Sequence, residues 1–507
     1  MAFKWSNIMA YITRGVSAFQ EAYVTLSTLE DDEPDEFTAR RFRIEMARAA
    51  WENTRYRNIH KGWAQGLRNK YALYKYVRSL HDVTFQDTEF WVSVIYRGLI
   101  KDDLIGGAVP LIVNEETDEE AARASAYQLL DVSNWNAQKN IYVRSGALAG
   151  YVGLVVVDDQ EREEMRLEVV PPENIYDVTL EHGIVKGYML VYWKEDASDM
   201  THKYTQVVSR GDNDDVTFET FTDDRPDAWT ENTDASGTPR ATWTEPYGMI
   251  PFVLAKQIDN GGKWGVAELQ PLLSKILESD DLGSMVDDQI RKMVNPTALL
   301  AGVTKRDIET TTKDATADKP QPGREETKVI YSENAAATWQ PMVFSLDIAQ
   351  SRERINDIVS AMKREYPELD NIWESGADAS GKALRVRREP VIAKAVDRRS
   401  NYDTALLSAI RMGLAIGGWR GYDGYEGFDL TSYSAGKLGI SIDERDIFLK
   451  DPADELAEKN TFWTTWASVA NSGVDFVTFA REYGWSEEKL AAYEEQRQKG
   501  FIPPEGL

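Results

Sequence analysis

The sequence predicts an α+β fold, with helices in the first hundred residues, an antiparallel sheet in the middle and long helices after it. Two observations predict this. Apolar and aromatic residues recur at helical spacing up to about residue 100 and again from about 270 to 415. Between Tyr151 and about residue 255 the period falls to short strand-like runs bounded by charged or glycine-containing turns. At about 150 residues per domain, the 507 residues suggest roughly three domains. A 42% hydrophobic share beside 28% charged residues is the composition of a chain with a core, not of a disordered polymer.

In order along the chain, Phe42, Met46, Ala49 and Ala50, then Leu73, Tyr76, Val77 and Leu80, mark helices, and Asp31–Glu36 reads as a solvated acidic linker. A further helix is expected over about Glu119–Tyr142. The runs YVGLVVV, MRLEVV, IVKGYMLVYW and KYTQVV predict one antiparallel sheet over 150–255. Gly211–Arg240, poor in apolar residues and rich in Asp and Thr, is expected to be a long, mobile surface hairpin or excursion.

A helix of about 35 Å is expected over Gln270–Met293, with Pro271 tolerated in a first turn that needs no amide donor. Its apolar stripe turns: Leu269, Leu272, Leu273 and Ile276 lie rotated from Leu282, Met285, Val286 and Met293, so its halves should meet different partners. Asn295-Pro296 stops it. Two β-like runs, TALLAGV and KVIY, flank a polar stretch containing Lys319-Pro320-Gln321-Pro322-Gly323. A second long helix follows over about Leu346–Tyr366, with Ile348, Ile355 and Met362 in heptad spacing and Pro367 at its end. After the polar stretch PELDNIWESGADASG a third helix is expected over Lys382–Ala415, then a strand-like ISIDERDIFL. The C-terminus reads as helical, with Asp451 and Ser486 as caps and Trp463 and Trp466 as core residues.

Charge and composition exclude several functions. With 58 Lys and Arg against 84 Asp and Glu, a net charge of −26 disfavours free binding to nucleic acid, because phosphate binding runs on cations that displace counterions. The absence of cysteine excludes disulfides, thiolate metal sites and cysteine nucleophiles. No apolar run approaches the roughly 18 residues that cross a bilayer, and the N-terminus lacks a secretory pattern, so no membrane partner and cytoplasmic synthesis are expected.

The candidate motifs are weak. Gly376–Lys382, GADASGK, fits part of a phosphate-binding loop, but Ala383 stands where a Ser or Thr should hold magnesium, and no buried strand precedes it. His60, His81, His182 and His202 form no metal or triad motif, so neither metal nor cofactor is expected. Asp280-Asp281 and Asp287-Asp288 lie one heptad apart on one helical face, as a solvated or pore-facing stripe in preference to a metal site. Arg385, Arg387, Arg388, Lys394, Arg398 and Arg399 form the basic cluster of note, read as intersubunit or intrachain ion pairs in preference to DNA contacts. The 15 Trp leave open an acidic hydrolase acting on carbohydrate through two carboxylates.

Taken together, WGVAELQPLLSKILESDDLGSMVDDQIRKMVNP, SLDIAQSRERINDIVSAMKREYP and SGKALRVRREPVIAKAVDRRSNYDTAL, with GALAGYVGLVVV and VVPPENIYDV upstream, resemble the portal proteins of tailed double-stranded DNA bacteriophages. No single motif is diagnostic, and the order of features carries the likeness. The resemblance implies a portal fold: an N-terminal wing region over 1–262, a first stem helix over 263–294, a small α/β clip over 295–340 and a second stem helix over 341–366. It further implies a tunnel loop over 367–381, a wing helix and return strand over 382–450 and a helical crown over 451–507. It implies a homo-oligomeric ring, typically of twelve subunits, at one capsid vertex of the virion, assembled in the host cytoplasm. Such a ring passes double-stranded DNA non-specifically in packaging and ejection, without enzymatic activity of its own. Its partners would be the terminase large subunit, head-completion or adaptor proteins, and the major capsid and scaffolding proteins.

Carried onto this chain, the resemblance implies a tunnel loop of Glu368, Asp370, Ile372, Trp373, Glu374 and Asp378, and pore-facing stem residues Asp280 and Asp287. Lys305, Arg306, Lys313, Lys319 and Arg324 would serve clip docking, and Arg385, Arg387, Arg388, Arg398 and Arg399 would form intersubunit ion pairs.

Overall fold

The first described helix buries an arginine among its apolar residues. The computed structural model describes residues 36–54, 83–96, 111–113, 119–195, 200–211, 213–294, 298–301, 329–332, 348–369, 381–442, 447, 452–469, 475–483, 485, 490 and 493. Helix α1 (Glu36–Trp51) buries Phe37, Arg40, Ile44 and Ala50, so of the expected stripe only Ala50 reaches the core. The guanidinium of Arg40 lies 3.7 Å from the centre of the Trp264 ring and donates to the carbonyls of Ile175 (3.3 Å) and Tyr176 (2.6 Å) and to the Tyr151 hydroxyl. A planar cation that stacks and hydrogen-bonds in this way can occupy an interior position. Helix α2 (Val83–Ile95) and a short strand β1 (Leu111–Val113) follow. The stripe Leu73 to Leu80 lies outside the described residues.

The single helix expected over 119–142 is two, α3 (Glu119–Val132) and α4 (Trp135–Ala149). Asn134, at φ 49°, turns the chain between them. The Ser133 hydroxyl accepts from the amide of Leu167 at 2.7 Å, so the break is held by a long-range bond that no local pattern encodes. At the end of α4, Gly150 has φ 91°, and a Cβ there would come within 2.5 Å of the Ala267 amide nitrogen.

The strands form two antiparallel sheets, not the single one expected. They are β2 (Tyr151–Asp159), β3 (Glu164–Val170), β4 (Ile175–Glu181), β5 (Ile184–Glu195), β6 (Thr201–Arg210), β7 (Val216–Thr222), β8 (Arg225–Pro226), β9 (Thr242–Glu245) and β10 (Phe252–Lys256). One sheet has the order β10-β2-β3; the other runs β4-β5-β6-β7-β8, with β9 also paired to β7. The chain leaves the first sheet at Pro171-Pro172, whose missing amide donors cannot continue a ladder. Of the stretch expected to be a surface hairpin or excursion, β7 forms a hairpin with β6 and buries Val216, Phe218 and Thr220 in the second sheet, while 223–228 are exposed. The alternation of β7 was masked by Thr and Glu on the intervening positions.

Helix α5 (Leu273–Val294) starts after a 3-10 turn over Gln270–Leu272, as Pro271 dictates. Strands β11 (Ala298–Ala301) and β12 (Val329–Ser332) pair in parallel, Leu299 opposite Ile330. Helix α6 (Ile348–Glu365) returns along α5. Lys275 pairs with Glu365 while Glu278 pairs with Arg354 at 3.2 Å, so the two helices run antiparallel. Their shared core holds Leu269, Leu272, Ile276, Ile358, Met362, Tyr366 and Leu369, with Val83 of α2. Burial of this apolar face, at about 25 cal/mol per Å², is what holds the pair together.

Helix α7 (Gly381–Arg420) spans 40 residues and lies against β10, β2 and β3. It sinks Val391, Ala395, Tyr402, Leu406, Ile410 and Leu414 into the core. After α8 (Leu430–Ser434), β13 (Ile440–Ile442) pairs antiparallel with β1. This completes one compact unit, Met1–Asp443.

The second unit, Glu444–Leu507, contains α9 (Pro452–Val469) and α10 (Phe476–Glu482). Its core is aromatic: Phe462, Phe476 and Phe479 with Trp466, Trp485 and Tyr493. Trp463, expected in the core, is 42% exposed. Among the described residues no helix is long and apolar enough to cross a membrane.

Candidate functional site: a buried charge cluster beside the helix pair

Pro367 ends α6, and the next turn, closed by the Leu369 amide on the Tyr366 carbonyl at 3.0 Å, tucks Glu368 inward. Lys394 and Arg398, four apart on α7, project from one face towards Glu268, which precedes α5. Lys394 Nζ lies 2.7 Å from Glu268 and also pairs with Glu368; Arg398 Nε donates to Glu268 at 3.0 Å. Gln257 Nε2 donates to Glu268 at 3.0 Å and its Oε1 accepts from the Tyr402 hydroxyl at 2.7 Å. Asp87 of α2 completes the set, and Lys394 sits over the rings of Tyr366 (4.6 Å) and Trp91 (5.5 Å). Glu268, Glu368 and Asp87 are all at most 1% exposed.

The electrostatics follow from burying three carboxylates with two cations. For Glu268 burial works against the charge, but Lys394 and Arg398 outweigh it and hold its carboxyl below the usual range. Burial pushes Glu368 up, against the pull of Lys394. Asp87 is pushed well up by burial and by the neighbouring charges of Glu368 and Glu268. Lys394, despite burial, is held above the usual lysine range by the two glutamates. A protonated Asp87 leaves two anions facing two cations, so the cluster is neutral in that state.

The sequence-based expectations are redrawn here. Glu368, expected in the tunnel, is buried and bound to Lys394 within the chain, because the turn after α6 points it at α7. Arg398, expected in an intersubunit or intrachain ion pair, pairs within the chain with Glu268, and Arg399 donates to the Val94 carbonyl at 2.7 Å. Asp280, expected to face a pore, is 1% exposed on α5. The structure thus joins one expected loop residue to the basic cluster, two groups that sequence reading kept apart. Asp287 lies on α5, Arg385, Arg387 and Arg388 on the first turns of α7. Asp370, Ile372, Trp373, Glu374 and Asp378, and Lys305, Arg306, Lys313, Lys319 and Arg324, lie outside the described residues, as does most of GADASGK. Sequence reading missed Asp87, Glu268, Gln257 and Tyr402. For Glu268 the signal was a lone carboxylate inside the apolar run VAELQPLL; Asp87 shares VTFQDTEFWV with Glu89, and no such signal marks it.

A matching cluster lies at the far end of α7. Asp158 of β2 accepts from the hydroxyls of Tyr247 and Tyr422, each at 2.6 Å, and from Arg420 Nε at 2.8 Å, while Arg420 Nη2 pairs with Glu245 at 2.6 Å. Neither cluster has an activated nucleophile, and among the described residues no group of three or more His, Cys, Asp or Glu side chains is placed to hold a metal ion. What this arrangement can do is mechanical: it fixes α7 against the helix pair at one end and against the sheets at the other.

No protein-family model matches the chain, and no curated protein does. Among solved structures, a chain in the neck of an empty gene transfer agent particle, determined with C6 symmetry, is 13% identical, with 84% of this chain and 91% of that chain covered and a TM-score of 0.41. A chain of the native gene transfer agent virion is 13% identical over 82% of this chain and 91% of that one, at a TM-score of 0.34. A third, from the native particle's neck with C12 symmetry, is 13% identical over 80% and 90%, at 0.35. Likeness at this level carries no argument about what the chain does.

Proposed function

We propose that this chain is the portal subunit of a tailed-phage-like particle: a ring-forming structural protein at one capsid vertex through which double-stranded DNA is packaged and ejected. The observation that carries the reading is the order of elements. Two antiparallel helices, α5 and α6, bracket a small insertion containing a parallel strand pair, and the chain then returns through a 40-residue helix to the sheets. In this reading α5 and α6 are the stem and 295–340 is the clip that docks the packaging ATPase and later the head-completion protein. Residues 1–262 with α7 form the wing, and 451–507 the crown.

The charge of −26 suits a duplex that must slide both ways, since a lumen rich in Lys and Arg would hold phosphate by counterion release. With Glu368 and Asp280 committed to the interior, the carboxylates left to face the duplex in this reading are Asp370, Glu374 and Asp378 of the loop and Asp287 of the stem. The test is assembly. Twelve chains of 57.4 kDa give a particle of about 689 kDa, measurable by native mass spectrometry, and a central hole in negative stain. A stable monomer at high concentration overturns the reading. The competing carbohydrate hydrolase would appear as isolated globules with turnover.

A further inference from the structure

Between the two sheets lies a cleft of about 390 Å³, lined in part by Trp229, Glu231, Asn232, Thr233, Arg240 and Trp243. Its size falls in the range of about 300–1,000 Å³ usual for small-molecule sites. Two features of its lining define a ligand class. The first is aromatic: Tyr204 and Trp229, both half-buried, stand edge to face with centres 5.6 Å apart.

The second is that the charges in the wall are already paired. Arg166 is held by Asp159 (3.0 Å) and Glu168 (2.8 Å), Lys194 by Glu231 (3.2 Å), and Arg240 by Glu245 (3.6 Å). With each of these cations already facing an acid, the wall offers an entering ion little net charge, whereas a neutral molecule with many hydroxyls can donate to the acids and accept from the spare donors of the bases. Asn232 Nδ2 and Arg240 Nε, both lining residues, are buried and meet no hydrogen-bond acceptor among the described residues, a condition that native structures seldom leave uncompensated.

We propose that this cleft binds a neutral saccharide, with the rings of Trp229 and Tyr204 against its apolar faces and the paired charges, Asn232 and Arg240 on its hydroxyls. The proposal stands independently of the portal reading. The experiment is isothermal titration calorimetry on the full chain with maltohexaose, cellohexaose and chitohexaose, each to about 1 mM, beside inorganic phosphate and heparin as charged probes. Saturable binding of at least one neutral oligosaccharide, insensitive to salt, is expected. Trp229→Ala should weaken it by about tenfold or more. Asn232→Ala should weaken it with unchanged thermal unfolding, which keeps the test valid if the tryptophan variant misfolds. Binding of phosphate or heparin alone, binding of none of the three oligosaccharides, or equal binding by the parent and both variants overturns the proposal. Negative stain of the same sample reports ring assembly separately.

Discussion

Lys394 and Arg398 in the first half of α7, and Arg420 at its last residue, all meet buried carboxylates, yet the two ends are satisfied to very different degrees. At the Arg420 end, Asp158 takes two tyrosine hydroxyls and the guanidinium Nε, and Nη2 of the same arginine meets Glu245. At the Lys394 end, one oxygen of Glu368 and both oxygens of Asp87 are buried without a hydrogen-bond donor of good geometry. The difference teaches that a buried acid can be held in two ways: by donors enough to keep it charged, or by a proton that removes the charge. The first way makes a fixed clamp. The second makes a junction whose strength depends on pH and on a single shared lysine.

The largest effect should come from that lysine. Lys394→Met removes the cation that Glu268 and Glu368 share and leaves buried carboxylates short of a partner, at a cost of about 3–5 kcal/mol in chemical unfolding. A loss below about 1 kcal/mol would mean that the junction adapts as readily as a surface pair. Next, Tyr422→Phe deletes one donor to a charged acceptor at the clamp and should cost about 1.5–3 kcal/mol. If it costs nothing, Tyr247 and Arg420 alone satisfy Asp158 and the clamp is redundant.

Smaller in size but opposite in sign is Asp87→Asn. Because the folded state raises the Asp87 carboxyl above its ordinary value of 3.8, this group's contribution is fully present below that value and is lost as pH rises through the raised one. The amide keeps the shape without the titration. At neutral pH the variant should therefore be more stable than the parent by about 1 kcal/mol or more, with an advantage that vanishes towards pH 3–4. The check is thermal unfolding of parent and variant across that range. A destabilised variant at neutral pH would show that Asp87 is anionic there and that the contrast between the two ends is smaller than drawn. The smallest effect expected is Arg354→Ala, which breaks the exposed pair with Glu278 between α5 and α6 and should change stability by less than about 1 kcal/mol.

Much of the fold was written in local pattern. Pro271 placed the start of α5, Pro367 the end of α6, and the heptad of Ile355 and Met362 the helix between, because proline geometry and helical periodicity act within a few residues. The strand-like runs marked β2, β3, β5 and β6 for the same reason. The partners of those elements were not local. That the sheet is two, that β7 lies inside it, and that Ser133 breaks a helix by reaching Leu167 depend on contacts between residues far apart in the chain. The candidate site shows the division most sharply. Sequence alone grouped the basic residues of α7 by adjacency and read them as intersubunit or intrachain ion pairs without naming a partner, while the resemblance sent the acids after Pro367 to a tunnel loop. Only the tertiary structure brought Glu368, Glu268 and Asp87 to Lys394 and Arg398. A charge goes inside only where opposite charges and donors from other elements meet it, and that meeting is a property of packing, which no spacing along one helix can reveal.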